Sequence, residues 1–108
     1  MDYKTAWYIY TEIISTSLQE LSNKLIQTGI RYSRLRVDWS LLSIEEKGQF
    51  DQERTIAHNA FISSCDILAR NMAQRDENFS WRAMIGNDRK EIGDFACWIH
   101  LIIGIKAR

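Results

Sequence analysis

No proline interrupts the 108 residues of the chain. Proline is the strongest helix breaker, because it lacks the backbone N–H and its ring clashes with the preceding turn. Its absence therefore favours long helices throughout the sequence. The five glycines are the remaining candidates for marking where helices end.

The N-terminal third has a helical pattern. Apolar residues recur every three or four positions from about Tyr3 to Gln27, which predicts one amphipathic helix. The stripe comprises Trp7, Tyr10, Ile14, Leu18, Leu21 and Leu25, widened by Ala6, Ile9 and Ile13. Gly29 follows at a position suited to a C-terminal cap. Residues 30–42 could form an irregular elbow, a helical turn or an isolated extended segment, which would have no partner strand.

A second long helix is predicted to start after Ser43. Ser43 and Glu46 have the spacing of a capping box, in which each side chain bonds the other residue's backbone N–H. Apolar periodicity continues from there to about Gln74. Gly48 marks the place where this helix could break or bend.

Two more helices are predicted in the C-terminal third. Ser80 and Gly86 bound a segment of one or two turns, and Asp88 with Glu91 suggests a second capping arrangement. The last helix then runs to about Ile105. Its apolar residues cover most of its circumference: Ile92, Phe95, Ala96, Trp98, Ile99, Leu101, Ile102, Ile103 and Ile105. A helix that is apolar nearly all round must be surrounded by other elements.

These patterns predict an all-α fold, a small helical bundle of three main helices plus one short helix. The length suits a single domain spanning residues 1–108. Because the apolar area of the first and last helices exceeds what so small a bundle covers, we expect a homodimer.

Charge and composition exclude several classes of function. The chain has 14 Lys and Arg residues against 14 Asp and Glu, so we expect no nucleic-acid partner. The most apolar stretch, residues 95–105, is much shorter than the roughly 20 residues that span a membrane. Without a secretory signal, and with too few cysteines for a disulfide framework, the chain is expected in the cytoplasm, away from membranes.

Four residues are of the types that bind zinc: His58, Cys65, Cys97 and His100. His58 and Cys65 are seven residues apart, which separates their helix positions by about 10.5 Å along the axis. Zinc ligands lie within about 2.3 Å of the metal, so these two do not suit one ion. We therefore expect no metal and no cofactor.

A polar set lies beside the predicted core. Asp94 sits within the apolar last helix and needs a partner, because an unpaired buried carboxylate is costly. Lys90 is one turn before it, and Arg54, His58 or Arg82 could reach it from another element. The first interpretation is a structural ion-pair network. The alternative is a small-ligand or anion pocket formed by Arg54, His58, Arg82, Arg89 and Asp94.

Three arginines in the 30–42 segment alternate with aromatic residues: Arg31, Arg34 and Arg36, beside Tyr32 and Trp39. Such a pattern can bind single-stranded nucleic acid, with charges on phosphates and rings on bases. A solvated elbow explains it better. These arginines could also meet an acidic stretch, within one chain or across a dimer, formed by Glu45, Glu46, Asp51 and Glu53.

The last helix also carries a stripe of small or polar residues, formed by Gly93, Cys97, His100 and Gly104. We interpret it as a place where another helix approaches closely. Cys97 and His100 could form a thiol–base pair, but apolar surroundings would raise the pKa of the thiol. No nucleophile elbow, phosphate loop or dinucleotide motif is present. We therefore expect that the protein is not an enzyme.

The C-terminal half resembles a group of small bacterial helical proteins of unknown function. The resemblance covers about residues 54–100, through the segments 54–62, 68–70, 80–82 and 88–97. It implies a bacterial, cytoplasmic protein and no particular activity. The first 42 residues carry no resemblance.

Three functions are consistent with this sequence. The leading hypothesis is a structural or regulatory module that acts through protein–protein contacts. The second is the small-ligand or anion-binding protein described above. The third is an immunity-type or toxin-neutralising helical protein, which rests on size and fold class by analogy.

Overall fold

The computed structural model describes residues 1–77 and 79–107; Asn78 and Arg108, which the predicted domain includes, lie outside them. The described residues form five helices and no strand. The helices are α1 (Tyr3–Ile14), α2 (Gln19–Ser40), α3 (Ile44–Ala73), α4 (Trp81–Ile85) and α5 (Arg89–Lys106). The predicted all-α class is confirmed. The predicted number of main helices is wrong, because four helices have 12 residues or more.

The additional helix arises from a break after Ile14, so the prediction of one helix over residues 3–27 is wrong. Hydroxyl side chains fill the break, and such side chains compete with the helix for backbone hydrogen bonds. Glu77 stabilises it from across the fold, since its carboxylate accepts hydrogen bonds from the Ser17 backbone N–H at 3.2 Å and from the Ser17 hydroxyl at 3.0 Å.

The buried face of α1 differs from the predicted main stripe. Its buried residues are Ala6, Ile9, Tyr10 and Ile13. Trp7 and Ile14, which belong to the predicted main stripe, are exposed at its edge. Ala6, Ile9 and Ile13, which were predicted only to widen the stripe, therefore form most of the buried face of α1.

Residues 30–40 continue α2, so of the three conformations considered the helical one is observed, extended over several turns. Gly29 lies buried within α2, and its prediction as a helix cap is wrong. A Cβ atom at Gly29 would lie 3.0 Å from Cε1 of Phe61. The glycine therefore allows Phe61 of α3 to pack closely against the α2 backbone.

The capping box at the start of α3 is confirmed. The Ser43 hydroxyl accepts from the Glu46 backbone N–H at 3.3 Å, and Glu46 Oε1 accepts from the Ser43 N–H at 3.2 Å. The end of α4 at Gly86 is also confirmed. Gly86 has φ +78°, a conformation that residues with a Cβ rarely adopt.

Two predicted caps differ from the structure. Ser80 stands before α4, but its side chain makes no capping hydrogen bond. Asp88 caps α5 by accepting from the Lys90 N–H at 2.8 Å. Glu91 does not complete a capping box there; its carboxylate lies 2.8 Å from the amino group of Met1.

Helix α2 lies at the centre of the packing, with its most extensive contacts to α3 and α5. Helix α1 contacts α5 more than α2, and α4 contacts α5. Phe61 of α3 packs against both α2 and α5, since its ring centroid lies 6.4 Å from that of Tyr32 in α2 and 6.0 Å from that of Phe95 in α5. Among the described residues, no helix combines the length and apolar character needed to cross a membrane.

Candidate functional site

Asp94 is paired, and its partners define one polar group. Arg36 Nη1 of α2 lies 2.9 Å from Asp94 Oδ1, and Lys90 Nζ lies 3.3 Å from Asp94 Oδ2. The predicted neighbour Lys90 is therefore a partner. The partner from another helix is Arg36, and the contacts of Arg54, His58 and Arg82 lie elsewhere.

The Arg36 side chain lies against the backbone of α5. A Cβ atom at Gly93 would lie 2.9 Å from Cζ of Arg36, so a side chain at this position would require the guanidinium to shift. Arg36 Nη1 also approaches the Cys97 sulfur at 3.7 Å, and His100 Nδ1 lies 3.2 Å from the Ser33 hydroxyl. These contacts of Gly93, Cys97 and His100 show that this part of the small-residue stripe receives α2.

Arg54, His58 and Arg89 form a second polar group near the start of α5. The Arg54 guanidinium carbon lies 3.8 Å from the Trp39 ring centroid, and Arg54 Nη2 lies 3.0 Å from Asp51 Oδ1. Arg89 Nη2 donates to the Thr55 hydroxyl at 3.4 Å. Asp51 is therefore the only carboxylate among the described residues that is in direct contact with Arg54 or Arg89.

The environment of His58 favours the neutral imidazole. Burial is the main cause that lowers its pKa, and the charges of Arg89 and Arg54 lower it further, against the opposing effect of a hydrogen bond with Asn59. The ring stands edge-on to Tyr32 with centroids 5.2 Å apart. Within residues 1–77 and 79–107, its Nε2 atom is buried without a hydrogen-bond partner.

Arg82 belongs to a third group. Its Nη2 lies 3.2 Å from Asp66 Oδ2, and its guanidinium carbon lies 4.0 Å from the centroid of the Trp81 ring. The five residues predicted as one pocket are thus distributed over three groups, and only Arg54, His58 and Arg89 are brought together. That any of them binds a ligand stays a prediction.

The four residues of the types that bind zinc lie in different surroundings. Cys65 is buried, and burial raises the pKa of its thiol. His58 and His100 have the separate contacts described above. In the described ranges, no three His, Cys, Asp or Glu side chains converge as metal ligands.

The two aromatic residues predicted to alternate with arginines pack against other side chains of the protein. Tyr32 is buried and packs on Phe61, and Trp39 stacks under Arg54. Arg36 is engaged by Asp94, which leaves Arg31 and Arg34 as the exposed members of the set. This set of arginines and aromatic residues therefore does not form one platform of rings and charges.

Two apolar surfaces are exposed. The first, here called the α1–α5 face, consists of Tyr3, Trp7, Trp98, Leu101 and Ile105, and it lies on the first and last helices, where excess apolar area was predicted; the second was missed by reasoning from the sequence. The second, here called the α2–α3 groove, has a volume of about 590 Å³ and is lined by residues of both helices. The i, i+4, i+11 spacing of Ile56, Ala60 and Ile67 could have indicated an apolar strip turned away from the core.

Replacement of Asp94 with Asn should lower the free energy of unfolding by about 1 kcal/mol at neutral pH, because a partly exposed ion pair is lost. Burial raises the pKa of Asp94, but hydrogen bonds and charges from Arg36 and Lys90 outweigh it and hold the pKa below 3.8. A depressed carboxylate pKa contributes stability above its ordinary value, which is lost as the pH falls through the folded pKa.

Chemical denaturation across the acid range tests this prediction. The difference between wild type and Asp94→Asn should shrink below about pH 4, whereas Asp51→Asn, which removes a more exposed carboxylate, should change stability less. A difference that does not vary with pH would contradict the ion-pair explanation.

No family model, curated protein or solved structure matches the chain. The resemblance over about residues 54–100 stays a prediction.

Proposed function

We propose that this protein is a non-enzymatic protein–protein interaction module that forms a homodimer through the α1–α5 face. The observation that carries the proposal is the exposure of large apolar side chains on two neighbouring helices. Leu101 is 50% exposed and Ile105 is 47% exposed, and Tyr3 and Trp7 are exposed beside them. Contiguous apolar surface of this kind is typical of interaction sites.

Contacts between the side chains support treating them as one face. The Tyr3 ring centroid lies 6.1 Å from that of Trp7 and 5.4 Å from that of Trp98. Trp98 and Leu101 line the same shallow cavity, and Ile105 follows Leu101 by one helical turn. These five side chains therefore form one apolar surface across α1 and α5. Charged residues border it: Lys106 Nζ lies 5.0 Å from the Trp7 ring centroid, and Arg36 and Asp94 line the same cavity as Trp98 and Leu101.

A second copy of the chain is the occupant that fits this face. In a two-fold dimer the same patch meets itself, so a patch must be complementary to its own chemistry. The α1–α5 face is aromatic and aliphatic, and the charges that border it have both signs, from Lys106, Arg36 and Asp94. The resemblance over residues 54–100 supports placing this module in the bacterial cytoplasm.

The native mass tests the dimer. Wild type should show twice the 12.7 kDa chain mass in analytical ultracentrifugation, and Leu101→Glu with Ile105→Glu should shift it to the monomer, because each introduced charge would be buried. Ile44→Glu makes the same isoleucine change at an exposed site outside the face and should remain dimeric. A monomeric wild type, or a dimer unaffected by the double variant, would refute the proposal.

A second candidate function is the binding of a phosphate or carboxylate by Arg54, His58 and Arg89. It is favoured by Arg89, which lies near His58 and has no carboxylate within ion-pair distance among the described residues. Inorganic phosphate or acetate should raise the Tm of wild type more than that of Arg89→Gln. Equal Tm changes in the two proteins would exclude this site.

A further inference from the structure

The α2–α3 groove lies between two helices that are held together from within. Thr28 of α2 donates to the Ser64 hydroxyl of α3 at 3.1 Å, and Gly29 lets Phe61 approach the same part of α2. The groove is therefore formed by two closely packed helices, and its shape does not depend on a loop.

The groove is lined by apolar side chains that the chain itself leaves uncovered. Ile56 is 58% exposed, Ile67 is exposed at the other end, and the small side chain of Ala60 lies between them. Leu21 contributes from α2. A long apolar depression between two helices is the shape that receives the apolar face of a third helix.

The charges at the groove have one sign. Lys24 and Arg31 are the charged residues that line it, and both come from α2; the lining residues of α3 are uncharged. Neither cation takes part in an ion pair within residues 1–77 and 79–107. Arg34 adds a third exposed cation one turn beyond Arg31. The α2 edge of the groove is thus basic and unneutralised.

The spacing of these cations fits a helical partner. Lys24 and Arg31 are seven residues apart, which is about 10.5 Å along the α2 axis. Two carboxylates seven residues apart on an accompanying helix would have the same separation. Apolar residues one turn apart, placed between the two carboxylates of that helix, would face Ile56, Ala60 and Ile67.

A second copy of the chain fits this groove poorly. In a two-fold pairing, the basic α2 edge of one copy would meet either the same basic edge or the uncharged α3 edge of the other. Like charges repel, and the α3 residues that line the groove include no carboxylate, so neither groove-to-groove arrangement would neutralise Lys24 and Arg31.

We propose that the α2–α3 groove binds an amphipathic helix of another protein whose apolar face is flanked by acidic residues. The proposal extends the interaction function to a second surface. It does not depend on the dimer, because the groove and the α1–α5 face have no residue in common.

Two synthetic peptides test this proposal. The first is a helical peptide with leucines on one face and glutamates at seven-residue spacing beside them; the second has lysine at each glutamate position. By fluorescence anisotropy the acidic peptide should bind wild type at least about tenfold more tightly than the basic one. Leu101→Glu with Ile105→Glu, which targets only the dimer, should leave this binding unchanged.

Charge reversal identifies the surface. Lys24→Glu with Arg31→Glu should reverse the preference, so that the basic peptide binds more tightly than the acidic one. Lys4→Glu with Arg75→Glu makes the same net charge change at exposed residues outside the groove lining and should keep the wild-type preference. Absence of peptide binding, equal binding of both peptides, or the same response in both double variants would overturn the proposal.

Discussion

Replacement of Phe61 with Ala should lower the free energy of unfolding by about 3–5 kcal/mol, which is a large fraction of the roughly 5–15 kcal/mol that a domain of this kind has. Phe61 is fully buried where α2, α3 and α5 meet. Its ring packs against Gly29, a residue without a side chain that could move in to fill the space. The variant would therefore retain a cavity as well as lose buried apolar area.

Phe50→Ala is the matched control, because it makes the same change on the same helix at an exposed side chain. It should change stability by less than about 1 kcal/mol. Chemical denaturation monitored by circular dichroism gives both values. A Phe61→Ala variant as stable as Phe50→Ala would contradict the described packing of α2, α3 and α5.

Replacement of Trp81 with Ala should destabilise the protein by a similar amount, about 3–5 kcal/mol. Trp81 is the first residue of α4, and its side chain is almost fully buried. A helix of five residues is not stable alone, so α4 depends on packing of this kind. The substitution should consequently increase the rate of hydrogen exchange in residues 81–85 by a larger factor than in α3.

Met84→Ala tests whether the effect is specific to the buried side chain, since Met84 lies on the same short helix and is exposed. It should leave both stability and exchange close to wild type. If both variants speed exchange in α4 equally, the packing of Trp81 is not what holds this helix.

Features determined by neighbouring residues could be predicted from the sequence. The start of α3 at Ser43 and Glu46 and the end of α4 at Gly86 depend on side chains or backbone conformation within one turn. The break after Ile14 could not be predicted in this way. It is stabilised by hydrogen bonds between Ser17 and Glu77, which are sixty residues apart in the sequence.

The candidate polar site shows the same limit. Asp94 could be recognised as a carboxylate that needs a partner, and Lys90 could be named because it is one turn away. Arg36 could not be assigned, because it is 58 residues from Asp94 and lies on another helix, where its guanidinium packs against Gly93. Helical periodicity describes each helix separately and does not state which helices will be neighbours.

The contact of α1 with α5 has a consequence for how the protein is synthesised. Helices α2 and α3 are adjacent in the chain and can pair early, since a short loop closes at low entropic cost. Helix α1 leaves the ribosome before the other four helices, but its principal neighbour is α5, the last of the five to be made. Its apolar side therefore remains available to chaperones until α5 has been synthesised.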